Sequence, residues 1–126
     1  MPRQPVPTPL ALLVGLAGAS AVMLGAFGAH ALRQVLDPQH RELWRTAVDY
    51  HVWHALALVL AVGLGRGRSC RFAVAAFALG IVLFSGSLYA LALGAPRWVG
   101  VVTPLGGLAF IAGWIALGLS LRRGNS

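Results

Sequence analysis

Apolar positions along this chain come in long unbroken runs. They show neither the alternation of a half-buried strand nor the single-faced periodicity of a soluble helix. Residues 10–29 form a run of 20 positions without a charge. Residues 51–65 form a shorter run that continues back through Tyr50 to Asp49. Residues 72–95 and 98–121 add two more runs of 24 positions each. A helix needs about 20 apolar residues to cross the hydrocarbon core of a bilayer. Lipid offers no partner to an unpaired backbone group, so such runs must be helical. The lack of alternation and the short chain argue against a barrel. The pattern predicts an all-α, polytopic membrane protein. Residues 1–126 form a single four-helix transmembrane domain, with spans near residues 10–29, 48–65, 72–94 and 100–121.

The polar punctuation refines these elements. Pro5, Pro7 and Pro9 keep the first helix from starting earlier. Asp37-Pro38 is a strong helix start, with Asp as N-cap and Pro in the first turn. No breaker follows it, so a helical extension over about residues 38–47 is expected to run into the second span. Trp44 and Trp53 suit the membrane interface on such a helix. The alternative is a separate helix lying on the membrane surface. The links at residues 66–69 and 94–97 are short, which forces neighbouring helices into two antiparallel hairpins. Arg3 ahead of the first run imitates a secretory signal. Twenty apolar residues exceed a signal core and three more spans follow, so this segment is expected to stay as a span.

Composition identifies the solvent. The chain is 58% hydrophobic and only 10% charged, with a mean hydropathy of +0.77, whereas soluble domains carry about 25% charged residues. The lipid bilayer is therefore the first partner. The formal net charge is +7, and all ten basic residues are arginine. They sit in clusters between apolar runs and form no stripe along one face, which excludes nucleic acid as the expected partner. Arg66, Arg68, Arg71, Arg122 and Arg123 suit anionic headgroups. One end of the spans gathers Arg3 with these five; the other gathers Arg33, Arg41, Arg45 and Arg97 with Asp37 and Glu42. The arginine bias predicts that both termini are cytoplasmic. The single cysteine, Cys70, can form neither an internal disulfide nor a thiolate metal cage.

Small residues recur every four positions in the first span (Ala17, Ala21, Gly25, Ala29), in the third (Gly86, Ala90, Gly94) and in the fourth (Ala109, Gly113). This spacing lets helix backbones approach closely in lipid. It serves packing within one chain or the seam of a homo-oligomer. The richest polar segment runs from Arg45 to His54. On a helix, Thr46, Tyr50 and His54 share a face, and Arg45 and Asp49 are spaced to pair. An acid at membrane depth is a functional candidate. Tyr50 and His54 are also placed to tie helix two to helix one. His51 and His54, joined by His30, are weak candidates for a metal, although two or three histidines do not by themselves make a zinc site. Ser85, Ser87 and Tyr89 form a second polar group, and Thr103 with Pro104 heads the fourth span. No Ser-His-Asp arrangement follows from spacing alone.

The motifs Gly25-Ala26-Phe27-Gly28-Ala29-His30-Ala31-Leu32, Trp44-Arg45-Thr46-Ala47 with Tyr50 and His54-Ala55-Leu56-Ala57, Phe84-Ser85-Gly86-Ser87-Leu88-Tyr89, Thr103-Pro104-Leu105-Gly106-Gly107 and Gly113-Trp114 appear in this order. In order and spacing the chain resembles domain-of-unknown-function family 423, from about residue 10 to residue 121. That family includes bacterial inner-membrane proteins and the small eukaryotic transmembrane protein 256. The resemblance implies a four-helix integral protein of the bacterial inner (plasma) membrane. It implies signature positions at His30, Tyr50, His54, Ser85, Ser87, Tyr89, Thr103 and Pro104, and it supplies no activity and no cofactor. The candidate ligand pocket is therefore His30, Asp49, Tyr50, His54, Ser85, Ser87, Tyr89 and Thr103. The leading expectation is a non-enzymatic scaffold, assembly or small binding protein, alone or within a larger membrane complex. The rivals are a dimeric transporter of ions or small molecules and a His-dependent metal or redox protein.

Overall fold

The computed structural model describes residues 5–65 and 67–123; of Arg123 it describes the backbone alone. Arg3, Arg66 and the Arg123 side chain lie outside the described residues. The chain forms α1 (Thr8–His30), α2 (Pro38–Leu64), α3 (Gly67–Gly80), a π-helical turn (Ile81–Ser85), α4 (Gly86–Ala92), a 3-10 turn (Arg97–Val101) and α5 (Val102–Arg123). The segments α3, π-turn and α4 are one continuous span, and the 3-10 turn leads directly into α5. Four helices of 23, 27, 26 and 26 residues are thus long and apolar enough to cross a membrane. At 1.5 Å per residue each exceeds the ~30 Å core. The fold is all-α, in two antiparallel hairpins.

Local chemistry sets the helix ends. Asp37 caps α2 by accepting the His40 backbone N–H at 2.8 Å, and its carboxylate also meets His40 Nδ1 at 2.8 Å. The backbone bond and then the side-chain bond from His40 hold the Asp37 carboxyl below its ordinary pKa. Helix α2 runs unbroken from this cap to Leu64. The turns after α2 and α4 use Gly67 (φ 73°) and Gly94 (φ 103°), a backbone region that disfavours side chains.

Helix α2 and the third span form the centre; α1 flanks α2, and α5 flanks the third span. Lipid gives little hydrophobic drive between helices, so close backbone approach must do the work. The small stripe of α1 is used here: Ala17 and Ala21 are buried and Gly25 faces Val48. Within the chain, Ala17, Ala21 and Gly25 of this stripe serve packing against α2, while Ala29 is exposed. Gly106 of α5 lies directly against the backbone of Phe84 in the π-turn, and Gly80 and Gly113 receive the rings of Phe110 and Phe77. Phe77, Leu58, Ala57 and Ala61 are wholly buried between these helices. Large apolar side chains such as Leu16, Val22 and Met23 point outward to lipid.

Trp44 corrects one expectation. It does not sit on a lipid-facing interface but is 5% exposed, buried between α1 and α4. Its Nε1 donates to the Leu24 carbonyl at 2.9 Å, and its ring lies 4.6 Å from that of Tyr89. Gly28 leaves the gap that the indole fills. Trp53 does face outward.

Candidate functional site

Three polar ties cross the bundle. The first joins α4, α2 and α1. The Tyr89 hydroxyl meets His51 Nδ1 at 2.8 Å, and His51 Nε2 meets Ser20 Oγ at 3.1 Å. Ser20 Oγ also donates to the Ala17 carbonyl at 3.1 Å. A carbonyl only accepts, so the Ser20 proton is spent there. His51 Nε2 therefore donates to Ser20, and Tyr89 donates to His51 Nδ1. The chain of bonds runs in one direction and ends at a backbone carbonyl.

The second tie joins α2 to α5. His54 Nδ1 lies 2.7 Å from the Tyr50 carbonyl, and Trp114 Nε1 donates to His54 Nε2 at 3.1 Å. The carbonyl can only accept and the indole can only donate. Together they fix His54 as the neutral Nδ1–H tautomer. The imidazole stacks on Phe110 with centroids 3.5 Å apart and planes 9° apart. His54 thus holds α2 to α5, not to α1; the ties to α1 come from His51 and Trp44.

The third tie binds the π-turn region to both neighbours. Ser85 Oγ donates to the Ala47 carbonyl of α2 at 2.7 Å, fully buried. Ser87 Oγ donates to the Phe84 carbonyl, and Thr103 Oγ1 of α5 donates to Ser87. The π-turn turns both serines inward. Its extra residue lets the Gly86 N–H reach the Ile81 carbonyl, five residues back.

The family described as "Protein of unknown function (DUF423)" matches residues 24–107. The chain belongs to the DUF423 family. It is 42% identical over 112 residues to UPF0382 membrane protein SH2409 of Staphylococcus haemolyticus, covering 86% of this chain and 91% of that protein. It is 45% identical over 102 residues to UPF0382 membrane protein YwdK of Bacillus subtilis, covering 77% and 82%. It is 42% identical over 106 residues to UPF0382 inner membrane protein YgdD of Escherichia coli K12, covering 82% and 81%. No solved structure matches the chain. This DUF423 protein is accordingly an integral membrane protein, and its relatives' names indicate no specific activity.

The candidate residues do not form one pocket in this DUF423 chain. Tyr50 and His54 gather with Phe84, Phe110 and Trp114 in an aromatic group between α2 and α5. Ser85, and the pair Ser87 and Thr103, are neighbouring but separate ties. Tyr89 belongs with His51. His30 is exposed at the end of α1, and Asp49 is exposed on α2, where it lines a groove beside α1. Arg45 and Asp49 do not pair; among the described residues the one ion pair is Asp37 with His40. The histidine metal set also fails to assemble. Among the described residues no three His, Cys, Asp or Glu side chains gather to hold a metal. Both nitrogens of His51 and of His54 already have hydrogen-bond partners.

Three participants stand outside the candidate pocket drawn from the sequence: Ser20, Phe110 and Trp114, the last appearing there only within the Gly113-Trp114 motif. All three fall outside the residues matched by the family. Their signal was chemical. A serine in mid-span and an indole N–H each need a partner that lipid cannot give. Among the described residues no buried side-chain nitrogen or oxygen lacks a hydrogen bond. Ser20 and His51 have the separation of a nucleophile and base, yet the serine proton is committed to Ala17. Neither residue lines any of the four surface grooves of 460–580 Å³.

Proposed function

We propose that this DUF423 protein is a non-enzymatic component of the bacterial inner membrane. It acts by contact, as a scaffold, assembly or small binding protein. The observation that carries this reading is that the inward polar groups are spent on one another. Ser20, His51, His54, Ser85, Ser87, Tyr89 and Trp114 all make bonds that hold helices together; of these, His54 and Trp114 border a groove, and both His54 nitrogens are already bonded. A coupled transporter needs Asp49 and the histidines in communication. The exposed position of Asp49 and the dead end at Ala17 argue against such a path. The name of the E. coli relative supports the inner membrane.

The arginine asymmetry supports cytoplasmic termini, with Arg68, Arg71 and Arg122 on anionic headgroups of that leaflet. A C-terminal reporter that is active only in the cytoplasm should be active; the opposite result reverses the topology. For the contact reading, the full chain is extracted in native lipid discs and sized. A defined assembly larger than one chain is expected. It should be lost in a Leu16→Asn/Met23→Asn variant and retained in a folded Ser20→Ala variant. A monodisperse single chain under every extraction condition overturns it.

A further inference from the structure

A groove of about 550 Å³ lies between the end of α1 and the first three turns of α2. Its floor is apolar, built by Gly28 and the Trp44 indole that fills the gap over it. Its rim is charged: Arg33, Arg41 and Arg45 stand with Glu42 and Asp49. All five side chains are exposed, and none is in an ion pair. Arg41 is turned back toward the connecting loop, with Nη1 donating to the Arg33 carbonyl at 3.3 Å.

Depth makes this arrangement informative. The uncharged part of α2, from Tyr50 to Leu64, has 15 residues and spans only about 22 Å at 1.5 Å per residue. The hydrocarbon core is ~30 Å thick, so about five further residues of α2 fall at or inside its edge. Those residues are the turn from Arg45 to Asp49. Charges at that level persist only where water or an opposite charge reaches them. The groove gives that access. Its contents are also selective. Guanidinium groups bind phosphate oxygens in forked, charge-assisted pairs. The two carboxylates repel a bare phosphate and call for a cation beside it. A choline head carries no N–H donor, and a glycerol head carries no positive charge.

We infer that this groove holds the headgroup of one ethanolamine glycerophospholipid. The phosphodiester lies on Arg41, Arg45 and Arg33, the primary ammonium on Glu42 and Asp49, and the glycerol over the apolar floor. The site is at the end of the bundle opposite Arg68 and Arg71. It therefore concerns the other leaflet, and it holds whichever protein the chain contacts.

Native mass spectrometry of the full chain in detergent tests this. The chain is titrated with phosphatidylethanolamine, phosphatidylglycerol and phosphatidylcholine of identical acyl chains. The first ethanolamine lipid should bind about tenfold more tightly than the choline lipid, the scale of one charge-assisted bond. Arg41→Gln/Arg45→Gln should lose about tenfold in ethanolamine-lipid affinity, by the same reckoning. Glu42→Gln/Asp49→Asn should erase the preference over choline, and Arg68→Gln should change neither. If a variant fails to fold, the three-lipid comparison on the parent chain still decides. Equal affinity for ethanolamine and choline lipids overturns the inference. So does tighter binding of the glycerol lipid, or an arginine variant that retains the parent affinity.

Discussion

Gly106→Ala is the most direct probe of how this bundle is held. A methyl group built on Gly106 lies 2.7 Å from Phe84 Cα and closer still to its backbone nitrogen. Carbon atoms settle at about 3.5–4.0 Å, so α5 and the π-turn must part by about 1 Å. Backbone cannot swing aside as a side chain end can. The same movement loosens the Phe77–Gly113 and Phe110–Gly80 contacts on the same interface. Overpacking of this kind costs about 1–3 kcal/mol. Opposing it is the better helix propensity of alanine, worth at most about 1 kcal/mol. The clash wins, and a net loss of about 1–2 kcal/mol is expected. Gly118 on the same helix has no atom within 4 Å of a built methyl. Gly118→Ala should therefore be neutral or stabilising by up to about 1 kcal/mol. Reversible unfolding in mixed micelles with rising SDS, followed by tryptophan fluorescence, measures both. If Gly106→Ala were as stable as Gly118→Ala, the close approach of α5 to Phe84 would be wrong.

Other consequences are equally open to measurement. Trp44→Ala should cost about 3–5 kcal/mol, the range for deleting a large buried ring, and should raise hydrogen exchange over residues 20–30 as α1 loosens. Ser20→Ala and Tyr89→Phe should each cost about 0.6 kcal/mol, the mean for membrane hydrogen bonds. Their double-mutant cycle should show coupling although the two residues share no bond, because both act on His51; strict additivity refutes the relay. Asp37→Ala should speed exchange at the first turn of α2, whereas Asp37→Asn should keep most of the cap. The folded Asp37 carboxyl titrates below its ordinary value. Its contribution is therefore complete above that value and fades as pH falls through the lowered one. Exchange over residues 38–41, corrected for its intrinsic pH dependence, should rise only on the acid side. Elemental analysis and an optical spectrum of purified protein should show no metal or haem held by His51 or His54, since both nitrogens of each are engaged; a full equivalent of either that is lost in a His54→Gln variant refutes the tautomer assignment.

The one-dimensional pattern was sufficient for the fold class, and the reason is the solvent. Lipid demands that every backbone group be paired within its own segment, so an uncharged run longer than about 20 residues has one solution. The Asp37-Pro38 cap is also a local device that reads directly from the chain. The polar cluster was legible as a set of residues that must find partners, but not as a set of pairs. Spacing put Tyr50 and His54 on one face and suggested helix one as their target. Only the tertiary arrangement, with α5 against the third span, gave His54 to Trp114 and left His51 to reach Ser20. Helix periodicity carries no information about which neighbour a face meets. Trp44 shows the same limit. An indole near a span end belongs at the interface by composition, but the gap at Gly28 draws it inside. Arg45 and Asp49 had the spacing to pair, yet both are exposed along a groove that residues of α1 and α2 line together. The solvent, the four spans and the residues that need partners follow from composition and run length, because those are properties of single segments. Which partners they found depends on which helices lie side by side, and that is settled only in three dimensions.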